Sequence, residues 1–364
     1  MTNEEFVSQH LADNVQELAL RKMPDGIDSA WCMQQIEGWQ TAKCKLPSWA
    51  GVEGLWFPPR LSMEQCSSEQ TALYKQSLAA RLLPAESERA KMADFTGGYG
   101  VDFCFMAPLF GHSVYVERQE SLCDVARHNF PLLGLHNLEV VTASIDIDGA
   151  LSGVAHGCSL AYLDPARRDG AGRKTVAIED CTPDLTRLMP WLLDKASFVM
   201  LKLSPMLDIC QAMRVLPGVR EVHVVSVRGE CKELLLVCSQ REMECRYFCV
   251  NLESGNREVA VGAARLHEPP VVGSLAEAEY LYEPNPSVLK AGVQDAVAND
   301  CGLRKLHVRS NLYVGKSKID GFPGRCFRIN AYSDFGKRNL KALLGDIEQA
   351  NLSVRNFQST VAEL

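Results

Sequence analysis

The sequence lacks a long apolar run, an export signal and any internal repeat. No stretch of 18 apolar residues is uninterrupted, which excludes an ordinary membrane-spanning helix and predicts no membrane partner. The first ten residues, MTNEEFVSQH, have neither the basic start nor the apolar core of an export signal, so we expect a cytoplasmic protein. With 46% hydrophobic and 23% charged residues, the chain is globular in composition, and its 364 residues suffice for two or three domains.

Metal and disulfide signatures are also missing. The 14 cysteines, scattered from Cys32 to Cys326, form no CxxC pair and no cluster with histidine at zinc spacing. We therefore predict no metal site and expect reduced, mostly buried thiols, with a disulfide framework as the minor alternative.

The net charge of −7 conceals one basic segment. Residues 301–345 contain ten basic and two acidic residues, a charge of +8, so the rest of the chain carries −15. Such a segment indicates a polyanion site, although a merely solvated basic surface would give the same count. The side chains predicted to contact substrate here are Lys316, Lys318, Arg325 and Arg328.

Short apolar runs alternate with helical stretches between Lys91 and Gln240, which is typical of a parallel α/β sheet. The predicted strands are Met92–Phe95, Ser113–Glu117, Leu138–Val141, Leu160–Asp164 and Phe198–Leu203, with a helix from Thr182-Pro183-Asp184 toward Lys195. Two further runs, Arg220–Val227 and Glu233–Ser239, are separated by only five residues. Because that gap is too short for a crossover helix, we expect the sheet to end in an antiparallel hairpin.

The flanking regions give weaker signals. Residues 1–85 are predicted to be helical with loops: helices at Glu4–Leu20 and after Ser67-Ser68-Glu69, and few regular signals over Trp31–Pro59. After about residue 265 we expect a small α+β region, with helices at Ser287–Val297 and Lys337–Gln349 and strands near Lys305–Val308 and Cys326–Ile329.

The strongest local motif is the glycine-rich turn Asp94-Phe95-Thr96-Gly97-Gly98-Tyr99-Gly100, between a strand and a helix. Such a turn holds either a phosphate or the amino-acid end of S-adenosylmethionine, because glycine permits positive φ and close approach of a ligand. No Gly-Lys-Ser/Thr follows, and the third glycine of a dinucleotide fingerprint would fall at Phe103. Asp94 suits a cationic ammonium better than a pyrophosphate, so we predict S-adenosylmethionine, with contacts from Asp94, Thr96, Gly97, Gly98 and Gly100. A plain tight turn without a ligand is the alternative.

Acids and hydroxyls follow the next two strands. Glu117 ends the second strand, where a carboxylate accepts hydrogen bonds from both ribose hydroxyls, although alone it could be an ordinary solvated residue. Ser144 and Asp146 follow the third strand, where we predict adenine contacts, with helix capping as the alternative for Asp146.

The fourth strand ends in Asp164-Pro165, at the edge where ligands bind in open α/β sheets. A carboxylate and a fixed carbonyl can orient an amino group toward a methyl donor, so both residues are predicted to be catalytic. Arg167 and Arg168 would suit a substrate phosphate; a plain Asp-Pro turn with two solvated arginines is the alternative. Lys202 interrupts the fifth strand, where it could pair with Asp164 or another acid of the crevice, or equally snorkel to the surface.

These residues resemble the class I S-adenosylmethionine-dependent methyltransferases. The chain is more narrowly similar to a bacterial group that carries a ferredoxin-like segment and a THUMP-like domain at the carboxyl end. The resemblance covers most of the chain, and the matching stretches are EQCSSE (64–69), DFTGGYGVD (94–102), YLDPARRD (162–169), LKLSPMLD (201–208), LYEPNPSVLKAG (281–292), FPGRCF (322–327) and SVRNF (353–357).

The resemblance implies a Rossmann-like sheet and four regions. They are a helical region (1–85), the methyltransferase domain (86–265), a ferredoxin-like segment (266–323) and a THUMP-like domain (324–364) that is expected to be incomplete, because the family pattern continues beyond Leu364. It also implies S-adenosyl-L-methionine as cofactor and, since THUMP domains are associated with RNA, an RNA substrate.

The chain departs from the family pattern at two places. Thr96 stands where the usual motif has its first glycine, and Ala166-Arg167 replaces the Pro-aromatic pair that stacks on a target base. From the resemblance and the basic segment, we predict an RNA methyltransferase that modifies a base amino group by direct in-line transfer. The alternatives are an RNA-binding or assembly factor with a non-catalytic methyltransferase fold, and a methyltransferase of small molecules or proteins.

Overall fold

The computed structural model describes residues 1–145, 151–167, 178, 181–242, 244–252, 257–262, 270–334, 336–345, 347 and 349–353, with backbone only for Arg167, residues 257–262 and Lys337. Two compact units make up the chain: Met1–Glu221 with Leu235–Met243, and Val222–Leu234 with Glu244–Leu364. Within the described residues, no helix combines the length and the apolar character that crossing a membrane requires.

Residues 1–85, all described, form six α-helices: α1 (Asn3–His10), α2 (Val15–Ala19), α3 (Ser29–Lys45), α4 (Pro47–Ala50), α5 (Arg60–Gln65) and α6 (Glu69–Leu82). The single helix predicted over Glu4–Leu20 is wrong, because Asn14 interrupts it and caps α2 by accepting hydrogen bonds from the backbone of Gln16 and Glu17.

The long helix α3 occupies much of the stretch for which the sequence gave few regular signals. Its buried face includes Gln35, whose side-chain amide donates to the carbonyl of Phe57 (3.0 Å) and accepts from the Phe57 N–H (2.7 Å). A polar side chain within the buried face breaks the apolar periodicity by which an amphipathic helix is recognised.

The central sheet contains the strands predicted from the sequence, each shifted by at most three residues. The predicted strands correspond to β1 (Lys91–Asp94), β2 (His112–Glu117), β3 (Leu138–Thr142), β4 (Cys158–Leu163), β7 (Ala196–Leu203), β8 (Val219–Val227) and β9 (Glu230–Cys238). The sequence did not predict the short strands β5 (Ala166–Arg167) and β6 (Cys181–Thr182), nor β10 (Arg246–Asn251) and β11 (Arg257–Gly262). Among the described residues, the main sheet has nine strands in the order β11-β10-β8-β9-β7-β4-β1-β2-β3, and β5 pairs with β6 outside it.

Parallel pairing joins β3, β2, β1, β4 and β7. The strands β8 and β9 are connected through Arg228 and Gly229, both at positive φ (51° and 72°). A two-residue turn of this kind reverses the chain, so the predicted antiparallel hairpin is confirmed.

The connections of the parallel strands are helices: α7 (Val101–Met106), α8 (Glu120–Leu132), α9 (Ser152–Ala155), α10 (Leu185–Lys195) and α11 (Ile209–Val215). In α10 the buried residues recur at helical spacing, and Asp184 caps the helix by accepting from the Thr186 N–H (3.0 Å), as the start signal in the sequence predicts. This connectivity brings the carboxyl ends of β1, β2, β3, β4 and β7 to one edge, where the candidate site lies.

The carboxyl-terminal region forms a small antiparallel sheet in the order β13-β14-β12-β15. Its elements are β12 (Tyr280–Pro284), α12 (Pro286–Ala291), α13 (Gln294–Asp300), β13 (Arg304–Lys305), β14 (Tyr313–Gly315), β15 (Gly324–Arg328) and the helix α14 (Lys337–Leu344). The single helix predicted over Ser287–Val297 is wrong, because Gly292 adopts a left-handed conformation (φ 71°) and ends α12. The predicted fold class, an α/β methyltransferase-like sheet with a helical region before it and a small α+β region after it, is confirmed.

Candidate active site

The turn after β1 is built around buried Asp94. Its carboxylate accepts a hydrogen bond from the Thr96 N–H (3.0 Å), and the Gly100 N–H closes the turn on the Gly97 carbonyl (2.8 Å). Gly98 and Gly100 have φ of 55° and 81°, which favours glycine at both positions. The turn therefore leads directly into α7 in the geometry that the sequence predicts.

The glycines have different roles. A Cβ on Gly97 would lie 2.1 Å from the Tyr115 ring, and a Cβ on Gly100 would lie 2.9 Å from the Phe130 ring. A Cβ on Gly98 would meet no atom closer than 3.8 Å. Packing against Tyr115 of β2 and Phe130 of α8 thus requires Gly97 and Gly100 to be glycines, whereas Gly98 faces open space and leaves room for a ligand.

Glu117 at the end of β2 is tied to the same turn. One carboxylate oxygen accepts from the Gly98 N–H (2.9 Å) and the other from the Gln119 N–H (2.9 Å). A carboxylate oxygen accepts about two hydrogen bonds, so each retains a lone pair for a further donor such as a ribose hydroxyl.

Negative charge is concentrated at this edge. Burial raises the pKa of Asp94 well above its usual range, and the nearby carboxylates of Asp102, Asp164 and Glu117 raise it further, against the hydrogen bond from Thr96. Because each of these acids destabilises the charge of the others, the cluster favours a cationic ligand over an anionic one.

A buried polar cluster, here called the Asp102 cluster, lies next to the turn and consists of Ser67, Lys75, Asp102 and Tyr162. The Ser67 and Tyr162 hydroxyls donate to one oxygen of Asp102 (2.7 and 2.6 Å), and the Lys75 ammonium lies 3.1 Å from the other. Burial acts to raise the pKa of Asp102, but the charges of Lys75 and Lys202 and these hydrogen bonds outweigh it and hold that pKa below its ordinary value. The cluster connects α6, α7 and β4.

Sequence reasoning missed the Asp102 cluster. The available signals were Lys75, which lies on the buried side of α6, and Asp102, in the first turn of α7. Neither spacing nor composition shows that two such residues meet.

Asp164 follows β4 and is held by groups from two neighbouring strand ends. Its backbone N–H donates to the Thr96 hydroxyl (2.5 Å), and its carboxylate forms an ion pair with the Lys202 ammonium. Lys202 therefore pairs with Asp164 rather than snorkelling to the surface. The turn after β1 and the predicted Asp164-Pro165 acceptor site thus lie side by side.

The other predicted contacts are less defined. Ser144 follows β3 and is exposed. The N–H of the preceding residue, Ala143, donates to the Glu117 carbonyl (3.0 Å), so the ends of β2 and β3 are adjacent. Asp146 and Arg168 lie outside the described residues, and for Arg167 only the backbone, in β5, is described.

The basic segment is partly neutralised by acids that precede it in the sequence. Lys305 pairs with Asp295 (2.8 Å), Arg304 contacts Glu277 (3.5 Å) and Arg325 pairs with Glu283. The predicted substrate contacts that remain exposed and without an acidic partner among the described residues are Lys316, Lys318 and Arg328. The count of +8 therefore overstates the free positive charge.

A protein-family model described as a ferredoxin-like domain matches residues 280–323. Among solved structures, the chain is similar to a candidate methyltransferase from Porphyromonas gingivalis W83, with 34% identity, coverage of 99% of this chain and 89% of that chain, and a TM-score of 0.83.

Two further solved structures are more distant matches. An rRNA methylase from Streptococcus thermophilus is 12% identical over 46% of this chain and 96% of that chain, with a TM-score of 0.34. A type I restriction-modification methyltransferase subunit from the same species is 11% identical over 65% of this chain and 54% of that chain, with a TM-score of 0.37. Such low TM-scores carry no argument about this chain. No curated protein sequence matches it significantly.

Proposed function

Since the chain belongs to the methyltransferase family of the Porphyromonas gingivalis protein, we propose that it transfers a methyl group from S-adenosyl-L-methionine to an amino group of an RNA base. The observation that supports this most directly is the adjacency of two features: the open, acid-rich turn at Gly98 and the fixed Asp164-Pro165 at the next strand end.

The residues at the turn fit the chemistry of the cofactor. Asp94 and its neighbouring carboxylates would hold the cationic amino-acid end, Glu117 would accept from the ribose hydroxyls, and Ser144 would contact the adenine. The open face at Gly98 admits the ligand, since no Cβ fills it. When bound, the cofactor supplies an electrophilic methyl carbon for direct in-line transfer.

Asp164 and Pro165 would present the acceptor. The Asp164 carboxylate and the Pro165 carbonyl accept the N–H groups of the target amino group, which aims the nitrogen lone pair along the line of attack. Correct orientation of two reactants supplies up to about 7–11 kcal/mol of the barrier reduction. The basic residues Lys316, Lys318 and Arg328 would contact phosphates of the RNA backbone.

The cofactor proposal is tested by calorimetry with S-adenosyl-L-methionine. We expect the wild type to bind and Gly98→Asp to lose binding, because the new side chain fills the open face and adds negative charge. Gly134→Asp is the matched control, since Gly134 also has positive φ (77°) with no atom within 4 Å of a Cβ but lies at the end of α8. Equal affinities of the wild type and Gly98→Asp would refute the assignment.

The reaction is tested with labelled cofactor. Tritium is expected to pass from S-adenosyl-L-methionine into RNA from a strain that lacks the protein, and Asp164→Ala is expected to lose this transfer. Transfer that persists in Asp164→Ala would refute the role of Asp164 as a catalytic residue.

The phosphate contacts are tested by salt dependence of RNA binding. For single-stranded RNA, each lost contact lowers the slope of log affinity against log salt by about 0.7. The triple variant Lys316→Glu, Lys318→Glu, Arg328→Glu is expected to lose about 2 from that slope, three such contacts together. A slope unchanged in the variant would place the RNA elsewhere.

One observation favours a second candidate, an RNA-binding factor without turnover. Ala166 and Arg167 stand where amino-group methyltransferases carry the aromatic residue that stacks on the base. Cofactor and RNA binding without any tritium transfer would support this alternative.

A further inference from the structure

The carboxyl-terminal sheet has a cavity at one end. The cavity measures about 610 Å³ and lies where β12 ends, beside the loop between β13 and β14. Its apolar lining consists of Leu289, Leu306 and Leu312, and polar residues of the loop complete it. A volume of this size with a mainly apolar wall and a few polar groups is typical of a ligand site.

The polar side of the cavity comes from the loop between β13 and β14. His307, Ser310 and Asn311 line it, together with Arg309. The Nδ1 atom of His307 accepts the Arg309 N–H (3.1 Å), so in the neutral ring the proton lies on Nε2, which is then a donor. A ring N–H, a hydroxyl and an amide can together bind the edge of a nucleobase, which presents both donors and acceptors.

Glu283, the one acid among the described residues that line the cavity, connects it to a face of the sheet. Its carboxylate binds the guanidinium of Arg325, which lies directly opposite on β15. Because side chains alternate along a strand, Phe327 lies on this same face, opposite Leu281 of β12. The Phe327 side chain is 44% exposed, and the guanidinium carbon of Arg325 lies 5.5 Å from its ring centroid. Two planar groups on which a base can stack thus lie next to the cavity.

The charge around this face favours an anionic ligand. Residues 280–328 contain eight basic and four acidic residues, a net charge of +4 in a chain of net charge −7. Arg328, which pairs with Tyr280, and Lys316, which follows β14, lie at the end of the sheet away from the cavity. Phe327 therefore lies between two basic residues and the cavity.

This combination is more specific than an exposed aromatic residue, which alone is common on protein surfaces. Surfaces that bind single-stranded nucleic acid combine positive charge, which follows the phosphates, with aromatic rings, on which the bases stack. Both features are present here, and the cavity adds room for a second nucleotide beside the stacked one.

We propose that this face binds a single-stranded segment of RNA: phosphates contact Lys316 and Arg328, one base stacks on Phe327, and the neighbouring nucleotide enters the cavity. This inference rests on the proposed RNA substrate, and it adds a binding site apart from the acceptor site and the kind of RNA that the site takes. Duplex RNA does not fit this mode, because its bases stack on each other and cannot lie against the ring.

The first test measures binding of the full chain to a short uridine oligonucleotide by fluorescence anisotropy. Phe327→Leu keeps an apolar contact with Leu281 but removes the ring, so it is expected to weaken binding by about tenfold, the loss of one stacked base. Phe327→Trp should bind at least as tightly as the wild type, because its larger ring also stacks. Tyr332→Leu is the matched control and should leave binding unchanged, since Tyr332 is an exposed aromatic residue (56%) that follows β15.

Three results of this test would overturn the proposal. The first is equal affinity of the wild type and Phe327→Leu for the single strand. The second is binding of an RNA duplex as tightly as the single strand, and the third is binding of poly-L-glutamate as tightly as RNA. Either of the last two would show that charge alone attracts any polyanion.

The role of the cavity is tested with Asn311→Ala. The lost hydrogen bond to the neighbouring nucleotide is expected to weaken binding of the oligonucleotide by about threefold to tenfold. Asn330→Ala is the control, because Asn330 is also exposed but follows β15 outside the cavity. Unchanged affinity in Asn311→Ala would overturn the role of the cavity.

The second test locates the stacked base. Ultraviolet irradiation joins a uridine to an aromatic ring against which it lies, and mass spectrometry of the digested protein identifies the residue. The adduct is expected at Phe327 and should be lost in Phe327→Leu. Adducts found only outside residues 306–328 would overturn the proposal.

These measurements do not depend on methyl transfer. Binding of single-stranded RNA that requires Phe327 would support the site even if no tritium passes from S-adenosyl-L-methionine into RNA, a result that refutes the proposed activity alone. Transfer to RNA together with unchanged binding in Phe327→Leu would overturn the site alone.

Discussion

The two units of the molecule each contain a lysine, an aspartate and a tyrosine in contact. In the first unit Lys75 and Tyr162 bind Asp102, and in the second Lys305 and Tyr313 bind Asp295, at 2.8 Å for the lysine and 2.5 Å for the tyrosine. Each group connects a helix to a strand. In both units, therefore, an ion pair and a tyrosine hydrogen bond to an aspartate connect a helix to a strand.

The two groups differ in burial and in what lies beside them. The side chains of Lys75 and Asp102 are 0% and 8% exposed, whereas that of Asp295 is 24% exposed. Asp102 also lies in the first turn of α7, directly after the glycine turn, and its charge raises the pKa of Asp94. Burial therefore determines how much unfolding free energy is lost when one partner of such a group is removed. The position of the group in the fold determines whether its charge influences a ligand site.

The largest effect is expected from Lys75→Met. Removing the ammonium leaves the Asp102 carboxylate buried without its cation, which should lower the free energy of unfolding of the first unit by about 3–5 kcal/mol. Urea unfolding followed by tryptophan fluorescence measures this, because all five tryptophans lie between Trp31 and Trp191. The double variant with Asp102→Asn should recover much of the loss. A loss below about 1 kcal/mol would mean that the pair behaves like a surface ion pair.

A smaller effect is expected from Lys305→Met in the second unit. Asp295 keeps access to water when its partner is removed, so the loss should be about 1–2 kcal/mol, between the values for buried and exposed pairs. Hydrogen exchange at the amides of β12 and β14 measures it, while the tryptophan transition should not move. A loss as large as that of Lys75→Met would remove the distinction between the two groups.

Cofactor affinity is expected to depend on pH through Asp94. The ligand-free site favours the protonated carboxyl, because the pKa of Asp94 is raised, and a bound cation favours the ionised form. Cofactor affinity should therefore increase as the pH rises through the raised pKa of Asp94. Below that pKa it should fall by at most about tenfold per pH unit. Calorimetry across pH measures this.

The Asp102 charge should shift this profile. In the double variant Lys75→Met, Asp102→Asn the midpoint should move to lower pH, since one of the charges that raise the pKa of Asp94 is gone. Asp94→Asn should bind weakly at every pH. A profile that persists in Asp94→Asn would assign the dependence to another group.

The smallest effect is expected from Arg325→Ala. Its ion pair with Glu283 is exposed on the arginine side (59%), so the unfolding free energy of the second unit should change by no more than about 1 kcal/mol. The exchange rates of β12 and β15 amides provide the measurement. A change above that of Lys305→Met would contradict the ranking by burial.

The accuracy of the secondary structure predicted from the sequence differs along the chain. Seven of the nine strands of the central sheet were predicted within about three residues, since apolar β-branched runs flanked by polar turns are a local signal. The other two, β10 and β11, were not predicted. The strand Tyr280–Pro284 and the short strand Tyr313–Gly315 were missed, as was the helix Ser29–Lys45. The strand Tyr313–Gly315 has only three residues, and the helix buries a glutamine that hides its period.

The candidate site shows the same limit. The acids and glycines at the strand ends were predicted because the carboxyl ends of parallel strands meet at one edge. The roles of Thr96 and Lys75 were not, since both depend on partners 68 and 27 residues away in the sequence, Asp164 and Asp102. The ion pairs of Arg304, Lys305 and Arg325 likewise reduced a charge excess that the sequence alone could only count.

By itself, the sequence determined the alternating strands and helices from β1 to β7, the β8–β9 hairpin and the identity of the acidic strand ends, because hydrophobic period, glycine and short connections act locally. Only the tertiary structure decided which glycine faces open space, which acid pairs with Lys202 and which hydroxyl holds Asp164. Those outcomes depend on packing between residues far apart in the chain, and no local pattern encodes the distance between them.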